Sequence, residues 1–289
     1  MRGVLGVLIL FLPLVWGQGV ERPSLGFEWD SQARVVRPIQ GVLGASLLGD
    51  AIQVPLTETA VGPQFAIGNL EGAGASLLDL RTGESKKLPE IEGAAQSFLV
   101  SAGGSGAIAI QDGLARFYRN VDKAPALVWT LAVPDGARLA AVSDDGSTAI
   151  GAMPDSIWIW TQSNSTQIAS GELKAAAFEL ATRKGFFAVG GEIFSVDAGL
   201  QVSLIGRVDG VSSLAIGKGN KVVALDLAGR KLHFVIEGFS LDLPVEQGSF
   251  RTIGEDLVQV SMGATSPVWL LDLKNARLMF VPKSEAASE

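Results

Sequence analysis

The strongest constraint on the fold is a unit of four short predicted strands that recurs along the chain. Its clearest copy is the segment 137–170, ARLAAVSDDGSTAIGAMPDSIWIWTQSNSTQIAS. Within it, the turn 143–147 contains Asp-Gly, a strong hairpin signal because Gly accepts a positive φ and Asp bonds its own backbone. Pro154 ends the second strand, since proline cannot donate to a strand ladder. The β-branched and aromatic residues at 157–160 indicate the third strand.

The spacing of the repeats predicts a β-propeller. Comparable units open on glycines 35 to 43 residues apart, and four-stranded units of this length are typical of propeller blades. A sheet that is apolar on both faces hides neither face alone, whereas a closed ring of sheets buries both. We predict an all-β fold of four-stranded antiparallel blades, with seven blades favoured and six as the alternative. The opening glycines are Gly93, Gly136, Gly171, Gly210 and Gly248.

The blade count depends on hairpins that resemble one another. Each has an apolar strand, an apolar residue followed by Asp, a polar turn and a second strand, and we interpret them as the outer hairpins of the blades. The aspartates Asp30, Asp79 and Asp272, with Asp197 as a weaker case, are expected to cap these turns by accepting backbone N–H bonds. Seven such hairpins occur, at 27–39, 75–91, 114–132, 156–169, 192–205, 231–245 and 268–281.

Composition and the N-terminus predict one exported domain. The chain has 289 residues, of which 47% are apolar and 18% charged, and no linker divides it. We expect a single propeller over 26–282, preceded by a short segment 18–25 and followed by a polar tail 283–289. Residues 1–17 resemble a secretory signal peptide, with cleavage expected near Gly17. The alternative is an uncleaved anchor, but its apolar run is shorter than the ~20 residues that a span needs.

The net charge and the cysteine content limit which partners and which cell compartment are expected. The net charge is −7, and loss of Arg2 with the signal peptide would make it −8. Nucleic acids and anionic membranes require clustered Lys and Arg, so neither is expected as a partner. We expect no membrane span after cleavage and a periplasmic or extracellular location. The chain has no Cys, and an exported fold without disulfides favours a bacterial source.

Two short motifs resemble those of the WD40/TolB/YVTN-like class of β-propellers. The turn 143–147, SDDGS, is similar to the S-x-D-G-x turn of that class's inner hairpin. The segment 77–84, LLDLRTGE, is similar to its outer-hairpin motif, apolar-D-x-x-T-G-x. A Trp-Asp pair occurs only at Trp29-Asp30, so the resemblance is to WD40-like propellers in general. The resemblance implies a toroid in which the loops of one face bind proteins, peptides or small ligands, and it implies no particular chemistry.

The residues that could support catalysis have simpler structural interpretations. His233 is the only histidine, and one His without Cys does not make a zinc site of the usual kinds. Asp144-Asp145 could serve a glycosidase as a carboxylate pair, but Gly146 marks an ordinary turn. The glycine-rich stretch 102–106 precedes a strand rather than a helix, so we interpret it as a hairpin turn. We therefore expect no catalytic residue, no metal site and no cofactor.

The function predicted from the sequence is that of an exported, non-catalytic propeller that binds a protein partner or small ligand on one face. The candidate binding residues are Asp112, Asp155, Glu192 and Arg230, polar residues on predicted loops of that face. One alternative is a hydrolase or lyase acting on a glycan or lactone, which would need convergent carboxylates in the central channel. Another is a scaffold subunit of an envelope assembly complex.

Overall fold

The computed structural model describes residues 23–30, 33–244, 249–261 and 268–282. The predicted signal peptide and polar tail lie outside this part of the chain. The described residues form 28 strands and no helix. The strands are β1 (Ser24–Asp30), β2 (Val35–Val42), β3 (Ala45–Leu48), β4 (Ile52–Gln53), β5 (Leu56–Val61), β6 (Phe65–Leu70), β7 (Gly74–Asp79), β8 (Ser85–Lys87), β9 (Ser97–Val100), β10 (Ala107–Gln111), β11 (Leu114–Arg119), β12 (Ala126–Ala132), β13 (Arg138–Val142), β14 (Thr148–Met153), β15 (Ser156–Thr161), β16 (Ser165–Ser170), β17 (Leu173–Phe178), β18 (Gly185–Val189), β19 (Glu192–Val196), β20 (Val202–Arg207), β21 (Val211–Gly217), β22 (Lys221–Asp226), β23 (Lys231–Phe234), β24 (Phe239–Asp242), β25 (Ser249–Gly254), β26 (Leu257–Ser261), β27 (Val268–Asp272) and β28 (Arg277–Val281).

These strands form seven antiparallel sheets, each built from four consecutive strands, so the prediction of seven blades is confirmed. We number the blades 1 to 7 along the chain. In blades 2 to 7 the four strands lie in sequence order, and we call them a to d from the central axis outward. Strand a lies next to the axis, where small residues fit, and strand d forms the outer edge. The strand-a residues of these six blades line the central channel.

The alternation of strand direction gives the ring two distinct ends. The turns between strands a and b and between c and d lie at one end, which we call the a–b face. The turns between b and c and the connections from d to the next blade lie at the other end, which we call the b–c face. A site on either face is therefore built from turns of neighbouring blades.

The predicted turn caps are confirmed. Asp79 Oδ1 accepts bonds from the backbone N–H groups of Arg81 and Thr82 at 2.8 and 3.2 Å. Asp197 Oδ1 does the same for Gly199 and Gln201, both at 2.9 Å. Asp30 and Asp272 accept equivalent bonds from Ala33 and from Lys274 and Asn275. These carboxylates hold the tight turns that the strand pattern requires.

The core lies mainly between adjacent blades rather than within one sheet. Between blades 3 and 4, Phe117 stacks on Trp129 with ring centroids 3.9 Å apart, and both pack against the fully buried Trp160. The Trp129 indole Nε1–H donates to the carbonyl of Gly146 at 2.9 Å, which satisfies its polar atom. Trp129 and Trp160 therefore join blades 3 and 4.

Blade 1 departs from the regular pattern. Strands β3 and β4 both pair with β2, at its end and at its beginning respectively, so together they occupy one outer position. The hairpin 27–39 is therefore not an outer hairpin, and β1 is the innermost strand of this blade. It begins at Ser24, inside the segment predicted to precede the propeller.

Strand β1 runs opposite to the inner strands of the other blades. Gly26, near its start, lies against Ile253, close to the a–b face end of β25. Glu28, farther along, bonds to Ser261, which pairs with Ser249 at the opposite end. Blade 1 thus contributes no strand that begins at the b–c face and runs down the axis. Its shape could not follow from the repeat, because the repeat assumes an inner strand of the same direction in every blade.

The ring closes by packing between blades 7 and 1, and no strand is exchanged between them. Ile39 and Leu48 of blade 1 are buried against Ile253 and Leu270 of blade 7. The Leu48 N–H also donates to the carbonyl of Pro282 at 2.8 Å. Closure therefore depends on apolar packing and hydrogen bonds across this single seam.

Candidate functional site

The central channel is narrow, and most of the residues that line it are small or apolar. It encloses about 160 Å³ and is lined by small residues such as Ser101, Ala140 and Ala176, together with Phe178 and the polar Arg251. None of its described lining residues is a carboxylate. In the described part of the chain, no three His, Cys, Asp or Glu side chains converge in a way that could hold a metal ion.

Arg251 belongs to a polar cluster at the seam between blades 7 and 1. Its guanidinium donates a short bond to Gln259 Oε1, and the neighbouring Ser261 hydroxyl lies 2.6 Å from Glu28 Oε1. Burial lowers the pKa of Arg251 to about 10, and the negative charge of Glu28 opposes this shift. This cluster gives the seam polar specificity in addition to apolar packing.

A pocket of about 350 Å³ lies on the a–b face among blades 3, 4 and 5. Its central side chain is Asp144, whose Oδ1 accepts the Gly103 N–H of blade 3 at 2.9 Å. Oδ2 accepts the Ala181 N–H of blade 5 at 2.8 Å, and the Ser105 hydroxyl donates to the Asp144 carbonyl at 2.9 Å. The carboxylate therefore joins three blades, and its turn is structural as predicted.

Asp145, the other member of the carboxylate pair, is also engaged. Its Oδ1 accepts bonds from the Ser143 and Ser147 hydroxyls at 2.7 Å, and Arg183 Nε donates to its Oδ2 at 2.8 Å. Burial raises the pKa of Asp145, but the bonds from Ser147, Ser143 and Arg183 outweigh burial and lower it to about 2. A carboxylate held ionised in this way is unsuited to act as a general acid near neutral pH.

The same face carries further cross-blade contacts. The Asn220 N–H of blade 6 donates to Glu179 Oε1 of blade 5 at 3.2 Å. The Lys221 ammonium donates to the Leu273 carbonyl of blade 7 at 2.9 Å. Together with Asp144, these bonds join turns of five consecutive blades, so much of the polar surface of the a–b face is used to hold the ring together.

Two larger cavities open near the b–c face, on either side of the connection from blade 2 to blade 3. The first encloses about 760 Å³ and includes Arg34, Glu71 and Lys87 in its lining. We call the second, of about 720 Å³, the blade 2–3 cleft. It is lined by Lys87, Leu88, Pro89, Glu90, Ile91, Glu92, Gln111 and Arg116. Lys87 lies in both linings, so the two cavities adjoin.

Backbone-directed bonds fix the shape of these cavities. The Asn69 side chain donates to the Ala95 carbonyl and accepts the Ala95 N–H, both at 2.7 Å. The Tyr118 hydroxyl donates to the Pro89 carbonyl at 2.8 Å, and burial raises the pKa of this phenol to about 12. The first contact ties blade 2 to the segment that leads into blade 3, and the second ties that segment to blade 3, so the walls of the cleft are held in place.

Arg116 is a half-buried charged residue of the blade 2–3 cleft. It lies on β11 between the buried residues Ala115 and Phe117, and so faces the opposite side of the sheet, towards blade 2. Its Nη1 atom is shielded from solvent and has no hydrogen-bond partner among the described residues. A buried guanidinium nitrogen without an acceptor is rare, because desolvation is costly.

The structure places all four sequence-predicted residues on the b–c face but in separate blades. Asp112 and Asp155 are exposed in b–c turns of blades 3 and 4, and Arg230 is exposed in that of blade 6. Glu192 begins strand c of blade 5 and pairs with Arg207 at 2.6 Å. The Asp112 turn adjoins the blade 2–3 cleft through Gln111. The four residues stay predictions and do not form one cluster.

Sequence reasoning missed Arg116 and Lys87. A signal for Arg116 was present, because it is a charged residue inside the strand segment LARFYR and its neighbours there on both sides are apolar or aromatic. A charged residue in such a strand must either reach solvent or find an acceptor. Lys87 gave no signal, since exposed lysines are common on edge strands.

His233 lies half-buried on strand c of blade 6, as its strand-like setting predicts. Its Nε2 is 3.8 Å from Asp226 Oδ2 and makes no hydrogen bond within the described part of the chain. Asp226 Oδ1 accepts the Gly229 N–H at 2.8 Å, so this carboxylate caps a turn.

Comparison with known proteins shows the fold alone. No protein-family model matches the chain, and no curated protein matches its sequence. Hsv2 from Kluyvelomyces marxianus is similar in structure, with a TM-score of 0.56 and 9% identity over 90% of this chain and 97% of Hsv2. The Cps50 (Swd1) β-propeller domain from Myceliophteria thermophila has a TM-score of 0.51 and 12% identity over 86% of this chain and 96% of that domain.

A third similar structure is an enzyme. A streptogramin B lyase has a TM-score of 0.53 and 11% identity, and the match covers 80% of this chain and 85% of the lyase. At such identities the likeness extends to the backbone and not to the chemistry. No described helix of the present chain is long and apolar enough to cross a membrane. The chain is a seven-bladed β-propeller with the WD40-like fold that its repeats predicted.

Proposed function

We propose that the protein is an exported, non-catalytic propeller that binds a protein partner through its b–c face. One observation carries the proposal. The two cavities of about 760 and 720 Å³ open near that face, whereas the pocket among blades 3, 4 and 5 of the a–b face is lined by carboxylates that already bridge blades. Free volume beside unsatisfied polar groups suits binding, and a face joined by internal bonds suits stability.

Export is proposed from the sequence of residues 1–17. If they act as a signal peptide, the mature chain should begin near Gln18 and be recovered outside the cytoplasm. Fractionation of the source cells, followed by N-terminal sequencing, tests this directly. An intact Met1 on a cytoplasmic protein would contradict it.

Partner binding can be tested by crosslinked capture from an envelope extract. We expect capture of a defined protein to weaken when Asp112, Asp155, Glu192 or Arg230 is changed to Ala. The matched control is Lys123→Ala, because Lys123 is exposed on the opposite face in a c–d turn. Equal capture by all the variants would contradict the assignment of these residues. Loss of capture with Lys123→Ala alone would move the site to the a–b face.

The two alternatives make different predictions. A hydrolase or lyase required convergent carboxylates in the channel, and the described lining of the channel cavity offers none to support it. An envelope scaffold subunit should be recovered in a stable hetero-complex. Light scattering of the captured material distinguishes that complex from a propeller that binds its partner reversibly.

A further inference from the structure

We infer that two copies of this chain associate edge to edge through β28, the outer strand of blade 7, and form a two-fold symmetric dimer. The inference goes beyond the proposed function, because this strand lies on the rim of the ring and not in the turns of either face. The observation that carries it is a contrast between outer edges. The edge of β28 is regular and apolar, whereas the outer edges of blades 1 to 5 carry features that hinder pairing with another strand.

The protected edges use three different features. In blade 1, two short strands share the outer position. In blade 2, the outer strand has only three residues, of which two are lysines. In blades 3, 4 and 5, a register shift interrupts the pairing of strands c and d. Short strands, lysines and bulges are the features by which sheet edges avoid pairing with other chains.

Strand β28 has none of these features. Its five residues, Arg-Leu-Met-Phe-Val, pair with β27 without a register shift. Within the described part of the chain β28 pairs with no second strand, so its outer side is a free sheet edge. Phe280 is 50% exposed on this edge, although its ring centroid lies 5.3 Å from that of Trp269. A regular edge that exposes a large apolar side chain favours pairing with another strand.

A second copy of the chain is complementary to this edge. In an antiparallel pair centred on Met279, Leu278 lies opposite Phe280 of the other copy, and Met279 lies opposite its own equivalent. Leu278 and Phe280 point to the same side of the strand, so the pair brings four apolar side chains together there. Arg277 lies opposite Val281 of the other copy, so no like charges face each other. The edge is therefore self-complementary, as a two-fold interface requires.

Charge also favours this edge over the rest of the surface. The chain has a net charge of −7, so two copies repel each other in general. Strand β28 contains one arginine and no acidic residue, which lowers the repulsion where the copies meet. The edge of blade 6 is less suitable, because β24 has four residues and its antiparallel self-pairing would place Phe239 opposite Asp242.

The symmetry of this dimer determines how it presents the two faces of each ring. Antiparallel pairing of equivalent strands makes the axes of the two rings run in opposite directions. The b–c faces of the two copies then point in opposite directions, so one dimer could hold two partner molecules. This consequence rests on the proposed function, whereas the dimer itself does not.

The first test measures the mass of the full chain, purified from the source cells, by size-exclusion chromatography with light scattering. The range is about 1 µM to about 500 µM, because one strand pair buries less area than a tight interface does. We expect the mass to rise with concentration to that of two chains. Phe280→Lys should weaken the association by about tenfold or more, since it places a charge in the apolar cluster. The matched control, Phe239→Lys, makes the same change on the rim of blade 6 and should change it less than about twofold.

The second test determines the register with introduced cysteines. The chain has no Cys, so a single introduced Cys is its only thiol. Met279→Cys should give a covalent dimer on mild oxidation, because the two copies of residue 279 have Cβ atoms about 4.5–5.5 Å apart. Arg277→Cys is the matched control. The two copies of residue 277 lie about 14 Å apart along the strands, so they should not be joined.

The outcomes separate this inference from the proposed function. A single-chain mass at every concentration would overturn the inference, and so would equal weakening by Phe280→Lys and Phe239→Lys. Thermal unfolding shows whether each variant is folded, and the crosslinks decide the matter if Phe280→Lys is not. A crosslink from Arg277→Cys that is as strong as that from Met279→Cys would overturn the assigned pairing. Capture of a partner by a chain that stays single defeats this inference alone, whereas a dimer that captures no partner defeats only the proposed function.

Discussion

Asp144 Oδ2, in the a–b turn of blade 4, accepts a hydrogen bond of 2.8 Å from the backbone N–H of Ala181 in blade 5. Its other oxygen accepts the Gly103 N–H of blade 3 at 2.9 Å. One turn carboxylate thereby fixes the spacing of three blades. This use of a turn aspartate differs from that of Asp79 or Asp197, whose bonds stay within their own hairpins.

Loss of this bridge should destabilise the ring. We expect Asp144→Ala to lower the free energy of unfolding by about 1–3 kcal/mol, because two backbone N–H groups lose their acceptor. Asp155→Ala, in an exposed turn of the same blade, should change it by no more than about 0.5 kcal/mol. Denaturant unfolding measures both variants, and equal values would contradict a bridging role for Asp144.

Asp145 should give the stability a specific acid dependence. Its pKa is about 2 in the folded protein against 3.8 ordinarily, so its ionised form stabilises the fold at pH values above 3.8. This contribution is lost as the pH falls from 3.8 to about 2. Solvent screening reduces it, because the side chain is 42% exposed.

The measurement compares the wild type with Asp145→Asn between pH 2 and pH 6. The wild type should be the more stable protein at pH 6, and the difference should shrink as the pH approaches 2. Because all other carboxylates are common to both proteins, the difference isolates Asp145. A difference that does not change with pH would contradict the prediction.

The seam cluster should show strong coupling between Glu28 and Arg251. We expect Arg251→Met to cost about 3 kcal/mol, since it leaves the buried Glu28 carboxylate without its nearby positive charge. The double variant with Glu28→Gln should cost less than the sum of the single changes. The control is Lys218→Met, because Lys218 and Glu255 are both 71% exposed and their pair should contribute at most about 1 kcal/mol. Additive costs for Glu28 and Arg251 would contradict the coupling.

Close packing between blades 3 and 4 should make a larger residue at Gly106 destabilising. A Cβ at Gly106 would overlap the Ser143 carbonyl oxygen of the next blade. We expect Gly106→Ala to cost about 1–3 kcal/mol, the usual effect of overpacking. At Gly254 the nearest atom to an added Cβ is 3.6 Å away, so Gly254→Ala should be tolerated. Thermal unfolding of the two variants is compared with that of the wild type. Similar losses of stability in both variants would contradict the prediction.

Much of the architecture was predictable from local patterns. The Asp-Gly turn at 145–146 and the glycines that open each unit specify short strands and tight connections, which depend on residues near in sequence. The capping aspartates could be predicted for the same reason, since Asp30, Asp79 and Asp197 bond to groups two to four residues away. The reversal of β1 could not, because its direction depends on how blades 7 and 1 meet.

The candidate site was less accessible to sequence reasoning than the fold. The prediction placed Asp112, Asp155 and Arg230 on loops of one face, and the structure agrees on the face. It distributes them over separate blades, however, and puts the larger cavities beside Arg116 and Lys87. Strand periodicity indicates on which side of a sheet Arg116 lies, but not whether an acceptor from the next blade reaches it.

The sequence by itself determined that this chain forms four-stranded sheets that close into a ring, and it favoured seven of them over six. Strand alternation and turn chemistry act over a few residues, and burial of two apolar faces leaves ring closure as the stable arrangement. Only the tertiary structure decided that Asp144 joins three blades, that Glu28 lies beside Arg251, and that the Arg116 Nη1 atom meets no acceptor within the described part of the chain. Each of these depends on side chains far apart in sequence meeting across a seam, where distance and solvent access decide whether a charge is satisfied.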